Sequence, residues 1–320
     1  MSTQIYSNPH KNLDEQVKLL EQRGLKIENT DKARHYLATI GYYRLSSYCF
    51  VFETSNSYGC RTHTFKNGIT FEQVISLYVF DQKLRLLLLE ALERFEVTTR
   101  ASWAYYLSEE AGSHPHLKSD NFKNFTEYQK SLELLEREIQ KAKSASFVEI
   151  NHYFRNYISP ESPPIWLAVS CLTFGSLFRW VKNTKSTKVK HQVAKTFCLP
   201  NIALYEGVAR SLTTIRNICA HHGRVWDIRM KTKVPLIGSK HLRVPLLSTI
   251  SKSQNGLEAD NRLFNIIAIL VHITLAINPD SSWPARVQEL ILCELDPSLW
   301  HCLGVPENWK GFGLLSDDLL

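Results

Sequence analysis

Apolar side chains recur at three- and four-residue steps along most of the chain, the period of helices packed on one side. After Asn12, the residues Leu13, Val17 and Leu20 share a face, Glu15 completes a capping pair with Asn12, and Gly24 supplies a stop. Thr30 opens a second segment carrying Ala33, Tyr36, Leu37 and Ile40, closed by Gly41. Tyr42 to Phe52 is aromatic-rich and reads as a third helix, with a strand as the alternative; Glu53 to Gly68 is polar and turn-rich, a loop or small hairpin. Thr70-Phe71-Glu72-Gln73 is a capping-box pattern. From it Val74, Leu77, Asp81, Leu84, Leu88, Leu92 and Phe95 predict one helix running to about Gly112, long for a globular protein.

Downstream, Ser113 to Tyr128 reads as a loop, Leu132 to Lys143 as a charged amphipathic helix, and Ser144 to Pro164 as irregular. Pro163-Pro164 opens a helix with Trp166, Val169, Leu172, Leu177 and Trp180. Lys182 to Lys195 holds five lysines and reads either as a solvated connection between helices or as a phosphate-binding patch. Pro200 starts another helix, Gly223 to Gly256 is basic and loop-rich, and Leu263 to Ile277 predicts a buried helix. A shorter helix follows over Pro284 to Leu295. The tail, Pro297 to Leu320, is mostly irregular, with Trp300 and Trp309 available to pack back on the body. The fold class is all-α, without internal repeats. The expected organisation is an N-terminal helical segment over 1–68, a helical domain with loop insertions over 69–280, and a C-terminal helix and tail over 281–320.

Composition narrows the function. Hydrophobic residues make up 44% of 320 positions, enough for a sizeable core. The formal charge of +7 is compatible with a polyanionic partner. Seven scattered cysteines without a C-x-x-C pair argue for reduced thiols rather than a disulfide framework or a zinc ribbon. Met1 to Asn12 lacks the apolar run of a signal peptide, and Ile266 to Ile277 is too short to span a bilayer and contains His272. The expectation is a soluble, cytoplasmic protein with no membrane association. No P-loop, dinucleotide fingerprint, G-x-S-x-G or H-E-x-x-H pattern is present, so no cofactor or metal is implied.

The segment Arg216-Asn217-Ile218-Cys219-Ala220-His221-His222-Gly223 carries the candidate chemistry. Ile202, Tyr205, Val208, Leu212, Ile215 and Cys219 form the core stripe of its helix. Arg216, Ala220, Asn217 and His221 then sweep across the exposed flank, and His221 and His222 fall in the last turn before Gly223. An arginine offers a permanent planar cation for a phosphate; a histidine moves protons near neutrality; an amide orients either. With RNA the neighbouring 2′-hydroxyl is a built-in nucleophile. Either histidine could serve. His222 lies nearer the core stripe, which favours His221. On spacing alone, a structural reading stands beside the chemical one: Arg216 in an ion pair and His221 at a helix C-cap.

Ile215 through Trp226 resembles the signature of the Abi-like proteins, the AbiD/AbiF group of bacterial abortive-infection factors within the HEPN superfamily of helical ribonucleases. Arg23-Gly24-Leu25 with Tyr42-Tyr43-Arg44-Leu45-Ser46, Tyr78 to Arg85 followed by Glu93-Arg94-Phe95-Glu96-Val97, and Trp166 with Phe174-Gly175-Ser176-Leu177 resemble the same group in the same order. The resemblance covers roughly residues 13 to 280. It implies a HEPN-type helical bundle with an N-terminal helical extension, an RNA substrate, and metal-independent cleavage by Arg216 and His221 with Asn217 beside them. It also implies a site shared across a homodimer, because only one such motif occurs in the chain, and control by an RNA or protein antitoxin. The alternatives are a non-catalytic RNA-binding module of the same fold and a protein-interaction scaffold.

Other residues carry two readings each. Glu96 and Arg100, at i, i+4, form an intrahelical salt bridge or a carboxylate that orients Arg216. Tyr43 and Arg44 stack on bases and hold phosphate, or pack as a core residue and an ion-paired cation. Arg224 grips an RNA backbone or is a flanking cation in a basic loop.

Overall fold

The computed structural model describes residues 9–55, 61–238, 246, 248–250 and 257–306. Helix dominates it, as the periodicity predicts. The chain divides into two compact units: residues 1–83 with 293–295, and residues 84–292 with 296–320.

The first unit holds α1 (Leu13–Gln22), α2 (Thr30–Ile40), α3 (Tyr42–Cys49) and the start of α4 (Phe71–Ala111). The Asn12–Glu15 capping box forms as expected, its two hydrogen bonds at 2.9 and 2.7 Å. Between α3 and α4 the polar stretch folds into an antiparallel hairpin, β1 (Glu53–Ser55) with β2 (Arg61–Phe65). Arg61 ties the hairpin to itself through Glu53, at 2.5 and 2.6 Å. In the core of this unit the Tyr48 hydroxyl donates to the buried Asp81 carboxylate at 2.6 Å.

α4 starts on its predicted box: Thr70 Oγ1 accepts from Gln73 N at 3.3 Å, and Gln73 Oε1 accepts from Thr70 N at 2.9 Å. Its length of 41 residues is sustained by an apolar stripe that stays buried through Leu84, Leu88, Leu92 and Phe95. In the second unit Phe95 sits in an aromatic cluster, its ring centroid 5.6 Å from Phe174, 4.6 Å from Phe197 and 6.0 Å from Tyr205. This cluster joins α4 to α8 (Phe174–Asn183) and α10 (Ile202–Ala220). Hydrophobic helix α11 (Leu263–Ile277) is buried through thirteen consecutive positions, and His272 within it bonds the Phe197 carbonyl through Nε2 at 3.0 Å. No helix among the described residues is long and apolar enough to cross a membrane.

Several elements depart from the sequence expectation. α5 (Phe125–Ser144) begins earlier, on an Asn124 N-cap, and α6 (Val148–Asn156) occupies a stretch read as irregular. α6 has no side-chain N-cap and buries only Ile150 and Tyr153, so it lacks both start signal and stripe. The helix expected from Pro163-Pro164 is broken. α7 (Ile165–Ala168) passes through a 3-10 turn, Leu172 is extended, and Thr173 caps α8 afresh. The lysine-rich connection is itself a helix, α9 (Thr187–Thr196). α12 (Trp283–Glu294) lies where predicted, and a short α13 (Trp300–Leu303) follows. A second hairpin pairs β3 (Ser248–Ile250) with β4 (Leu257–Ala259). Trp309 lies outside the described residues.

Candidate functional site

α10 is positioned by an Asn201 N-cap and by Tyr205, Val208, Ala209, Leu212, Ile215 and Cys219, all essentially inaccessible. This stripe turns the opposite flank outward: Asn217, Ala220 and His221 are exposed and Arg216 is half-buried, the arrangement the helical wheel predicts. α10 ends in a Schellman turn. The His221 N–H donates to the Asn217 carbonyl at 3.0 Å, His222 N–H to Cys219 at 3.0 Å, and Gly223 N–H to Ile218 at 2.7 Å.

The residue in the left-handed position of that turn is His222, with φ of 57°, not Gly223. Gly223 is needed for a different reason: a Cβ there would sit 2.9 Å from Ile218 Cγ2 and 3.2 Å from the Ile218 carbonyl oxygen. His222 therefore holds a conformation that ordinarily favours glycine, next to the candidate catalytic group. Val225 and Trp226 are fully buried just beyond and fasten the turn to the core. Arg85 reaches it from α4, its Nη1 donating to the Gly223 carbonyl at 3.4 Å. The sequence reading missed that role of Arg85. A signal existed: Arg85 and Glu96 are eleven positions apart on α4, three turns along nearly one line.

Glu96 links two guanidinium groups. Its Oε1 accepts from Arg100 Nη2 at 2.5 Å, and that nitrogen also donates to the Leu172 carbonyl at 2.7 Å. Its Oε2 lies 3.7 Å from Arg216 Nε, beyond hydrogen-bond distance. The i, i+4 bridge thus forms, and the other oxygen of the same carboxylate faces Arg216. The carboxylate is fixed by Arg100 and attracts Arg216 without consuming its donors. The Arg216 side chain is 32% exposed, and the His221 imidazole has no hydrogen-bond partner among the described residues.

Arg224 pairs with Asp227, Nε to Oδ1 at 3.0 Å, so part of its fork is committed within the turn. Tyr43 and Arg44 belong to the first unit. Tyr43 is 91% exposed, against the packing expectation, because Leu45, Tyr48 and Cys49 take the buried face of α3. Arg44 lies over the Tyr78 ring at 5.7 Å. Beside Arg100, an apolar depression of about 700 Å³ is lined by Val97, Ala101, Ala104, Tyr105 and Trp166. Val97, Tyr105 and Trp166 are each more than half exposed there, an unusual concentration of apolar surface next to a charged cluster.

These features define a mainly helical protein with an arginine-to-histidine motif at the exposed end of one helix, faced by a carboxylate from another. The family model described as Abi-like protein matches residues 35–227, more than half of the chain and all of the motif. The chain belongs to the Abi-like protein family. Comparison with curated proteins and with solved structures returned no match.

Proposed function

We propose that the chain is a metal-independent endoribonuclease of phage defence, a HEPN-type abortive-infection factor acting in the cytoplasm. Arg216 holds the scissile phosphate and offsets the charge gained in the transition state. His221 moves the proton, and Asn217 orients the substrate or the imidazole. The 2′-hydroxyl attacks phosphorus, the P–O5′ bond breaks, the 2′-proton leaves to a base, and the 5′-oxygen takes up a proton. The products are a 2′,3′-cyclic phosphate and a 5′-hydroxyl. His221 of one protomer donates a proton to the leaving 5′-oxygen. The other proton transfer falls to His221 of the partner subunit in a homodimer whose two motifs share one cleft. The exposed apolar depression beside Arg100 supports such an interface. An RNA or protein antitoxin would hold the activity silent before infection.

The observation that carries this reading is the Glu96–Arg216 geometry, a guanidinium aligned by a carboxylate already committed to Arg100. Its test is incubation of the protein with labelled RNA in excess chelator. Cleavage to cyclic-phosphate ends is expected, lost in Arg216→Ala and in His221→Ala while both variants still bind RNA. RNA binding with no cleavage by the native protein would leave a non-catalytic RNA-holding module.

A further inference from the structure

Of the five lysines in the 182–195 stretch, Lys182, Lys185, Lys188 and Lys195 are solvated, as a charged connection would have them. Lys190 is different: it is only 4% exposed. It stands one turn into α9, which is capped by Ser186 and has no acidic residue in its first turn. Helix side chains lean toward the N-terminus, so Lys190 leans toward that first turn. A second amine is brought to the same end. Phe122 and Thr184 form an antiparallel bridge, Lys123 N–H donates to the Asn183 carbonyl and Lys185 N–H to the Asn121 carbonyl, each at 2.8 Å. This lays Lys123 along the segment that leads into the α9 cap, where its charge acts on the Lys190 amine.

We propose that Lys123, Lys190 and the first turn of α9 form a binding site for a phosphoryl anion, separate from the Arg216 motif. A lysine side chain this nearly enclosed with no carboxylate partner keeps its charge poorly solvated, and a second amine nearby adds like-charge repulsion. Among the described residues Lys190 has no carboxylate within ion-pair distance. Glu206 of α10 acts on it only from farther off, and Glu110 of α4 is engaged with the Ser186 hydroxyl at 2.7 Å. Burial first, and Lys123 second, pull the Lys190 amine down to about 8, while Glu206 pulls the other way. A tetrahedral oxyanion between the amines would give both an acceptor, restore the full charge of Lys190, and meet the partial positive charge of the helix end. A purely structural side chain at this place would be better served by a hydrocarbon. The same chemistry fits a free nucleotide phosphate or one phosphate of an RNA backbone.

The test uses Arg216→Ala protein, so that RNA cleavage does not interfere and failure here leaves the nuclease proposal standing. Sulfate, which does not titrate near neutrality, is bound at pH 8 by calorimetry in two buffers of different ionisation enthalpy. Binding is expected to take up as much as about half a proton, because Lys190 is about half charged at that pH. Lys123→Gln, at an exposed position, is expected to weaken sulfate about 10-fold and to shrink the proton uptake. Lys190→Met is expected to abolish the uptake. A 5′-mononucleotide that displaces sulfate identifies a nucleotide site. Displacement by a single-stranded RNA oligomer but not by the mononucleotide identifies a backbone contact. Absence of sulfate binding, binding without proton uptake, or affinity unchanged in Lys123→Gln would overturn the proposal, as would displacement by neither phosphate compound.

Discussion

Two arginines of the second unit each face a carboxylate, and they do so in opposite ways. Arg262 is fully engaged. Its Nε lies 3.0 and 3.1 Å from the two oxygens of Asp260, its Nη2 donates at 2.7 Å, and its Nη1 donates to the His301 carbonyl at 2.7 Å. Burial pushes the Asp260 carboxyl up, but the hydrogen bonds and charge of Arg262 outweigh it and hold that carboxyl below the usual range. The Arg262 guanidinium is raised in turn, first by its hydrogen bond to Asp260. Arg216 comes no nearer to Glu96 than 3.7 Å, Nε to Oε2, and the carboxylate it meets is already bound by Arg100. A structural arginine has its planar fork filled. Arg216 is aimed by a charge and keeps its donors for something else, which is what phosphate binding requires.

The largest expected contrast comes from truncating each arginine. Arg262→Ala strands a buried carboxylate and should cost about 3 kcal/mol of stability. Arg216→Ala should leave the urea midpoint nearly unchanged and lower RNA cleavage by about 10²- to 10³-fold. Equal losses of stability in the two variants would make Arg216 an ordinary structural cation.

Acid titration sharpens the same contrast, with one background contribution that both variants share. His116 is buried, its Nε2 3.1 Å from Ser162 Oγ, and burial first and His114 second bring its imidazole down to about 4. The unfolded chain takes up that proton near 6.5, so stability falls as pH drops from 6.5 toward 4, by about 3 kcal/mol at most. Asp260 acts below that window. Its stabilisation is present above the unfolded carboxyl value and lost as pH falls through the depressed folded value. In Arg262→Ala burial prevails and the Asp260 carboxyl moves up. Chemical melts at descending pH should therefore show this variant's deficit narrowing below about pH 4. Arg216→Ala should run parallel to the native protein throughout.

Glu96→Gln probes the aim rather than the donor. The amide keeps a contact for Arg100 but removes the charge that faces Arg216. We expect about a 10-fold fall in cleavage rate with RNA affinity little changed, read as a loss in kcat rather than a rise in KM. A variant as inactive as Arg216→Ala would mean that Glu96 itself takes part in the chemistry.

What the sequence revealed follows from which interactions are local. α4 and α10 were legible because caps and buried stripes coincide, and α11 because apart from Asn265, His272 and Thr274 it is apolar on every face. α9 was hidden because four solvated lysines mask the short stripe of Val189, Val193 and Ala194. The flank shared by Arg216, Asn217 and His221 was legible from helical spacing. The choice between an internal bridge and a carboxylate facing Arg216 was not, because Glu96 lies on another helix and only packing around Phe95 brings the two together. Which of its two readings Tyr43 follows was hidden for a similar reason: on an eight-residue helix several faces are apolar, and tertiary packing selects one.

The smallest effect separates the two histidines, and it turns on the same distinction between a group that shapes the turn and a group left for chemistry. His222 occupies the left-handed position that closes α10, where a side chain costs about 0.5–1 kcal/mol relative to glycine. His222→Gly should therefore raise stability by roughly that amount and leave RNA cleavage within about 2-fold of native. His221 sits at the C-cap with φ of −90°, a conformation open to any residue. Glycine there gains nothing of this kind, so His221→Gly should be slightly less stable and at least about 100-fold less active. If instead the His222 variant loses cleavage while gaining stability, the strained residue is the proton carrier. The backbone strain would then belong to the mechanism, held by the buried Val225 and Trp226 that fasten the turn.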